Sequence, residues 1–244
     1  MSRGRTILAL DDRNTILAFG SETPGVVTQR RGIRDLPAGE RIVGIDVRPA
    51  DGRLYALGAT SRVYVVDSLG FAAALGSAPF RPGLVGTSFG WAADPVEDRL
   101  RALGDSDQSL RIDPATGTAE AGPLLAFAPG DEHERADPNV VAAAYTNAVA
   151  PAPGSTTLYG IESGFDVLVA IAPETGLLTT VGSLEADTGP AAGFDIAGDD
   201  GAAYAALRQA GNSLFYRIDL DTGEATFVAG IDHVNPIVGI AIAP

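Results

Sequence analysis

The 244-residue chain reads as an all-β protein, a five-bladed β-propeller closed by pairing of N- and C-terminal strands in one blade. Three observations predict this architecture. A phrase recurs along the chain, its last copy is divided between the two ends, and no window holds a sustained helical period.

The phrase is fullest from Gly44-Ile45-Asp46-Val47-Arg48-Pro49 through Arg53-Leu54-Tyr55-Ala56-Leu57 and Val63-Tyr64-Val65-Val66 to the turn Asp67-Ser68-Leu69-Gly70. A second copy starts at Gly90-Trp91-Ala92-Ala93-Asp94-Pro95 and ends at Asp113-Pro114-Ala115-Thr116-Gly117. The third, looser copy is read as Asn147-Ala148-Val149-Ala150, Leu158-Tyr159-Gly160-Ile161 and Val167 to Ile171, with the turn Pro173-Glu174-Thr175-Gly176. The fourth runs from Gly193-Phe194-Asp195-Ile196 to Asp219-Leu220-Asp221-Thr222-Gly223. The fifth is split: Gly239-Ile240-Ala241-Ile242-Ala243-Pro244 repeats Gly44 to Pro49, and Ile7 to Leu10 with Ile16 to Phe19 supply the missing strands. Sharing one blade between the ends closes the ring and leaves no open pair of sheet edges.

Anchors at 44, 90, 148, 193 and 239 are spaced by 46, 58, 45 and 46 residues, which suits four-stranded blades with one insertion. The blades are expected over about 42–76, 86–127, 140–182, 192–230, and 237–244 plus 6–33, in a single domain. Turns such as Asp113 to Gly117 end in Gly, which reaches the left-handed backbone region at little cost. Small residues at Gly44, Ala92, Ala142 to Ala144, Gly193 and Gly239 suit the narrow axis of a five-membered ring. A β-sandwich would share the hairpins but leaves the split copy unexplained.

Composition removes several chemistries. Cysteine and lysine are absent, which excludes disulfides, thiolate metal sites, cysteine nucleophiles, a Schiff-base lysine and a P-loop lysine. With only His133 and His233, a three-histidine zinc site cannot form. Residues 1–111 carry 14 Arg and 13 acids, whereas residues 112–244 carry 3 Arg and 18 acids, giving the net charge of −14. An acidic side of that kind repels nucleic acid and anionic membrane, keeps a protein soluble, and attracts cations or basic partners. No segment is long and apolar enough for membrane insertion, and Met1-Ser2-Arg3-Gly4-Arg5 enters the first strand without an apolar leader. A cytoplasmic protein and a trimmed exported bacterial protein share that appearance.

Gly86-Thr87-Ser88-Phe89-Gly90 spells a nucleophile elbow, but no helix signal follows it. Asp11-Asp12-Arg13-Asn14, Asp105-Ser106-Asp107 and Asp199-Asp200-Gly201 resemble fragments of calcium loops without the terminal glutamate, and are expected to cap hairpins. The insertion from Gly130 to Asn139 is acidic. Asp131, Glu132, Glu134 and Asp137 within it either hold a hard cation such as calcium or form a solvated loop. Asp46 and Asp195 occupy equivalent places, where the other blades are read as having Ala92, Ala150 and Ala241. With Tyr145, Asn147 and Asn139 they are the expected ligand-binding residues at the channel mouth, and the two Asp could instead accept backbone hydrogen bonds from a neighbouring blade.

At these residues the chain resembles the bacterial family of unknown function DUF4394. The strings that carry the resemblance are Gly44 to Pro49, Leu84 to Gly90, Asp94 to Arg101, Asp137 to Asn147 and Leu158 to Ile161, spread over nearly the whole chain. Ala92 stands where the family pattern has an Asp, which weakens any scheme that needs a full ring of inner-strand carboxylates. The resemblance implies a propeller-like fold, frequently in an exported protein, and no particular activity. The functional expectation is a monomeric ligand-binding or protein-interaction scaffold using the channel mouth. The alternative is a hydrolase or lyase with a channel-bound divalent cation and carboxylate bases.

Overall fold

The structure, a computed structural model, describes residues 4–244. The described residues contain strands and no helix. They start with β1 (Thr6–Asp11), β2 (Thr15–Gly20) and β3 (Thr23–Gly32), followed by β4 (Ile42–Arg48), β5 (Arg53–Gly58), β6 (Arg62–Val66) and β7 (Ala72–Ala74). Next come β8 (Phe89–Asp94), β9 (Arg99–Gly104), β10 (Ser109–Ile112) and β11 (Ala119–Ala121). The short β12 (Ala126–Phe127) precedes β13 (Val140–Tyr145), β14 (Leu158–Glu162), β15 (Val167–Ala172) and β16 (Leu177–Ser183). The chain ends with β17 (Ala192–Ile196), β18 (Ala203–Gln209), β19 (Asn212–Ile218), β20 (Ala225–Gly230) and β21 (Ile237–Ile242).

These strands form five small sheets arranged as a five-bladed β-propeller, with β4, β8, β13, β17 and β21 innermost. The fifth sheet has the order β21-β1-β2-β3, with Leu8 opposite Ala241 and Ala9 opposite Ile240. Head and tail are thus strands of one sheet.

Why the inner strands are apolar on both faces follows from the ring. Each blade packs against two neighbours, so alternation gives way to runs such as Ile42-Val43-Gly44-Ile45. The buried side chains fall into five clusters, one per seam between blades. Tyr55, Val65, Trp91 and Leu100 fill one, and Ile7, Phe19, Tyr204 and Phe215 fill another. Fully burying each large apolar side chain contributes about 1.5–3 kcal/mol, so the seams hold the blades together without disulfides.

The hairpin turns show why Asp begins them and Gly ends them. Asp113 Oδ1 accepts from the N–H groups of Ala115 (2.8 Å) and Thr116 (3.1 Å), and Gly117 closes the turn at φ 72°. Asp219 does the same for Asp221 and Thr222, before Gly223 at φ 84°. Linkers stitch neighbouring blades from outside: β12 adds to β16 in parallel, and Arg34 bridges to Phe71.

The third inner strand differs from the sequence reading. It is Val140–Tyr145, and Asn147-Ala148-Val149-Ala150 lies in the loop that follows it. The residues packed against Gly90 at the axis are accordingly Ala142 and Ala143, and the equivalent of Asp46 in this blade is not Ala150. The run of alanines hides the register, since Ala142-Ala143-Ala144 offers no large residue to mark which face is which.

The axis is nearly filled. A methyl group on Gly44 would lie 2.6 Å from Trp91 Cβ, and one on Gly193 would lie 2.6 Å from the backbone of Gly239 and Ile240. The central space lined by Gly44, Trp91, Ala142, Gly193 and Gly239 measures about 10 Å³, room for about one water. The ring therefore presents two separate mouths.

Candidate functional site

Asp46 and Asp195 stand near the C-terminal ends of their inner strands, and both line one cavity of about 300 Å³. Each is held in the same way. Asp46 Oδ1 accepts from Val47 N–H (2.7 Å) and Oδ2 from Ala93 N–H in the next blade (2.7 Å). Asp195 Oδ1 accepts from Ile196 N–H (2.7 Å) and Oδ2 from Ile242 N–H in the closing strand (2.6 Å). The two carboxyl groups are latches between blades and walls of the mouth at once.

Their environment opposes ionisation. Burial, followed by the negative charge of Asp195, raises Asp46 well above the usual carboxylate range. Burial raises Asp195 to about 7, against the opposing pull of the Ile242 and Ile196 amides. A half-buried and a buried carboxylate facing one cavity cannot both ionise cheaply without a compensating cation.

The rim adds groups from distant parts of the chain. Arg5 reaches Asp199 (2.5 Å) and Asp200 (2.7 Å), while its Nε is covered and finds no partner among the described residues. The floor and walls are small: Gly52, Ala148, Ala150, Ala197, Gly198 and Ala243. Val149, Val47 and Pro244 complete a shallow, mostly apolar bowl around the two carboxyl groups.

Other residues singled out in the sequence lie elsewhere. Tyr145 sits in the seam between the second and third blades, where its hydroxyl accepts from the buried Arg101 Nε (2.5 Å) and burial raises its pKa. Asn147 is in an exposed turn at φ 54°, donating from Nδ2 to Ser155 O (3.1 Å). Asn139 precedes β13 at the opposite end of that strand, donating from N–H to Glu162 Oε1 (2.7 Å) and from Nδ2 to Ser163 Oγ (3.0 Å). Of the five, only Asp46 and Asp195 share this cavity.

The acidic insertion is folded onto the third blade. Asp131 accepts from Thr180 N–H (2.7 Å), Thr180 Oγ1 (3.0 Å) and its own loop at His133 N–H (2.9 Å), and these bonds hold it below the usual range although burial acts the other way. Glu134 accepts from Gly130 N–H (2.9 Å), and His133 stacks on Phe165 at 3.9 Å. Glu132 is exposed beside His133, and Asp137 raises the pKa of Asp107 from across the loop, after burial. Among the described residues no group of three or more His, Asp or Glu is placed to hold a metal ion.

Remaining motifs serve the fold. Asp105 accepts from Thr87 and Ser88 N–H, fixing the loop that resembled a nucleophile elbow. Asp11 is fully buried, capping Arg13 and Thr15 and binding His233 Nε2 (2.9 Å) and Asn235 Nδ2 (3.0 Å). Both histidines are thereby engaged away from Ser88. Sequence reasoning missed Arg5 as a mouth residue, because its contact with Asp199 spans 194 positions and exists only once the ring is closed.

The sequence matches the model of the family described as a domain of unknown function, DUF4394, over residues 15–241. The chain belongs to that family. No curated protein matches it. Among solved structures, a protein of unknown function from Bacteroides thetaiotaomicron superposes with a TM-score of 0.57 at 16% identity, covering 100% of this chain and 68% of that one. A chain of the nidogen/laminin complex superposes with a TM-score of 0.56 at 12% identity, covering 99% of both. Hydrazine synthase from Kuenenia stuttgartiensis gives a TM-score of 0.48 at 16% identity over 84% of this chain, which spans 53% of that one. At these identities the likeness is one of fold alone.

Proposed function

We propose that this propeller is a binding module for a small organic cation, taken up in the mouth where Asp46 and Asp195 meet. The observation that carries the reading is the carboxyl pair itself: half-buried Asp46 and buried Asp195, from non-adjacent blades and locked by backbone N–H groups, open onto one cavity of about 300 Å³. A bound ammonium group supplies a countercharge beside the two carboxyl groups, so it displaces a proton and stabilises the ionised pair. Rigid carboxylates lose little freedom on binding, which favours affinity. An organic cation suits the site better than a bare metal ion, since a metal asks for more oxygen ligands than two carboxylates already bonded to amides. The shallow apolar walls suit the body of such a ligand.

A panel of putrescine, cadaverine, choline and calcium, titrated calorimetrically into the full chain at about pH 8, tests the reading. Saturable binding of an ammonium compound, lost in Asp46→Asn and in Asp195→Asn while both variants keep cooperative unfolding, supports it. Failure of every member of the panel to bind, or binding indifferent to both substitutions, refutes it.

A further inference from the structure

The opposite mouth carries its own, chemically different set of groups. A cavity of about 250 Å³ opens over the N-terminal ends of the inner strands, walled by Phe89, Val141, Pro236 and Val238. Asp12 and Arg41 both line it. One oxygen of Asp12 is covered by protein and accepts no hydrogen bond from any described residue. The backbone N–H of Arg41 goes to Glu40, but among the described residues its exposed guanidinium meets no carboxylate within 4.0 Å. An acid and a base thus flank one apolar cavity without pairing to each other or to a described residue.

That is an uncommon arrangement. A carboxylate partly withdrawn from water normally recruits a donor, because an unmet charged acceptor is costly. Its neighbours show how readily this fold supplies one: Asp11, the preceding residue, has four partners, and Asp105 holds two amides across the same mouth. Asp12 is held in place by its backbone, through N–H to Pro236 O (3.0 Å), and its uncovered oxygen, Oδ2, has no hydrogen bond to a described residue and is the one a ligand can reach. Separated charges of opposite sign across an apolar cleft complement a ligand with the reverse pattern.

We propose that this second mouth binds a small zwitterion with an apolar body, its ammonium group at Asp12 and its carboxylate at Arg41. Amino acids are the chemical class of that description. The bidentate fork of Arg41 suits a carboxylate, and Phe89, Val141 and Val238 suit an aliphatic side chain. The volume is smaller than that of pockets for drug-sized ligands, which argues for a single residue rather than a long peptide. The collar of Gly44, Trp91, Gly193 and Gly239 separates this mouth from the Asp46–Asp195 mouth, so the two sites are independent.

The test uses the full chain and calorimetric or ligand-observed NMR titration. The probes are leucine and 6-aminohexanoate, in which the charges lie close together and far apart, with isoamylamine and 4-methylpentanoate as the half-charged counterparts of leucine and pentylamine and hexanoate as those of 6-aminohexanoate. One of the two zwitterions is expected to saturate the site. The corresponding half-charged probe, Asp12→Asn and Arg41→Gln are each expected to weaken binding by about tenfold or more. Putrescine, the probe for the other mouth, is expected not to displace it. The proposal is overturned if neither zwitterion saturates, if binding follows the amine alone and ignores Arg41→Gln, or if putrescine competes.

Discussion

The carboxyl pair makes a quantitative claim about stability and pH. In the folded protein burial raises Asp195 from 3.8 to about 7 and raises Asp46 as well. A folded-state pKa above the unfolded value means that the native protein holds the proton more tightly. The resulting stability is fully present below about pH 4 and is lost as pH rises through about 7. Each pKa unit corresponds to about 1.4 kcal/mol, so a rise of roughly three units amounts to about 4 kcal/mol across that window. The overall net charge of −14 adds a pH dependence of its own, which a comparison between variants removes. Asp195→Asn keeps the shape and cannot ionise, but it turns an amide NH₂ toward Ile196 or Ile242 N–H, a pH-independent cost of about 1–3 kcal/mol. Urea unfolding of both proteins at about pH 4.5 and pH 8 gives the measurement. The stability of wild type relative to Asp195→Asn is expected to fall by about 2–4 kcal/mol between those values. A difference that stays flat with pH refutes the reasoning, since it means that the carboxyl ionises in the fold as easily as in the unfolded chain.

Further tests address the ring. Gly193→Ala places a methyl 2.6 Å from the backbone of Gly239 and Ile240 and is expected to cost about 1–3 kcal/mol or more, whereas Gly154→Ala, with open space around it, leaves the melting temperature within a degree or so. Removing residues 237–244 strips β21 from β1 and exposes both sheet edges and the seam around Ile237 and Ile240, so cooperative unfolding is expected to disappear in calorimetry. Asp11→Ala leaves His233, Asn235 and two turn amides without their acceptor, and a loss of about 2–4 kcal/mol is expected in chemical denaturation. Because Asp11 titrates below its ordinary value despite burial, its contribution is present at neutral pH and is lost as pH falls through the acidic range.

The architecture was legible because each blade repeats both its strands and its turns. Asp113 to Gly117 and Asp219 to Gly223 are copies of one capped hairpin, and the split copy at Gly239 fits only a closed ring. Where the pattern weakened, register was lost: the alanines from 142 to 144 do not distinguish faces, and the inner strand lies earlier than the anchor at Ala148 suggested. The equivalence of Asp46 and Asp195 could be read from spacing, since both fall two residues after an axial glycine. Tyr145 differs because its strand ends in a seam beside Arg101, a contact between blades that no local pattern encodes. Arg5 at one mouth and the placing of Asp12 and Arg41 around the other depend on closure and on loop paths, which carry no period.

The measurement closest to the central claim is the proton balance of ligand uptake. Putrescine is titrated into the protein at about pH 7 in buffers that differ in ionisation enthalpy, so that the observed heat reports protons exchanged. Because Asp195 titrates near 7 and Asp46 is raised beside it, binding is expected to release a proton and to weaken as pH is lowered toward 5. Binding that exchanges no proton and keeps its affinity at pH 5, or no binding at all, contradicts the account.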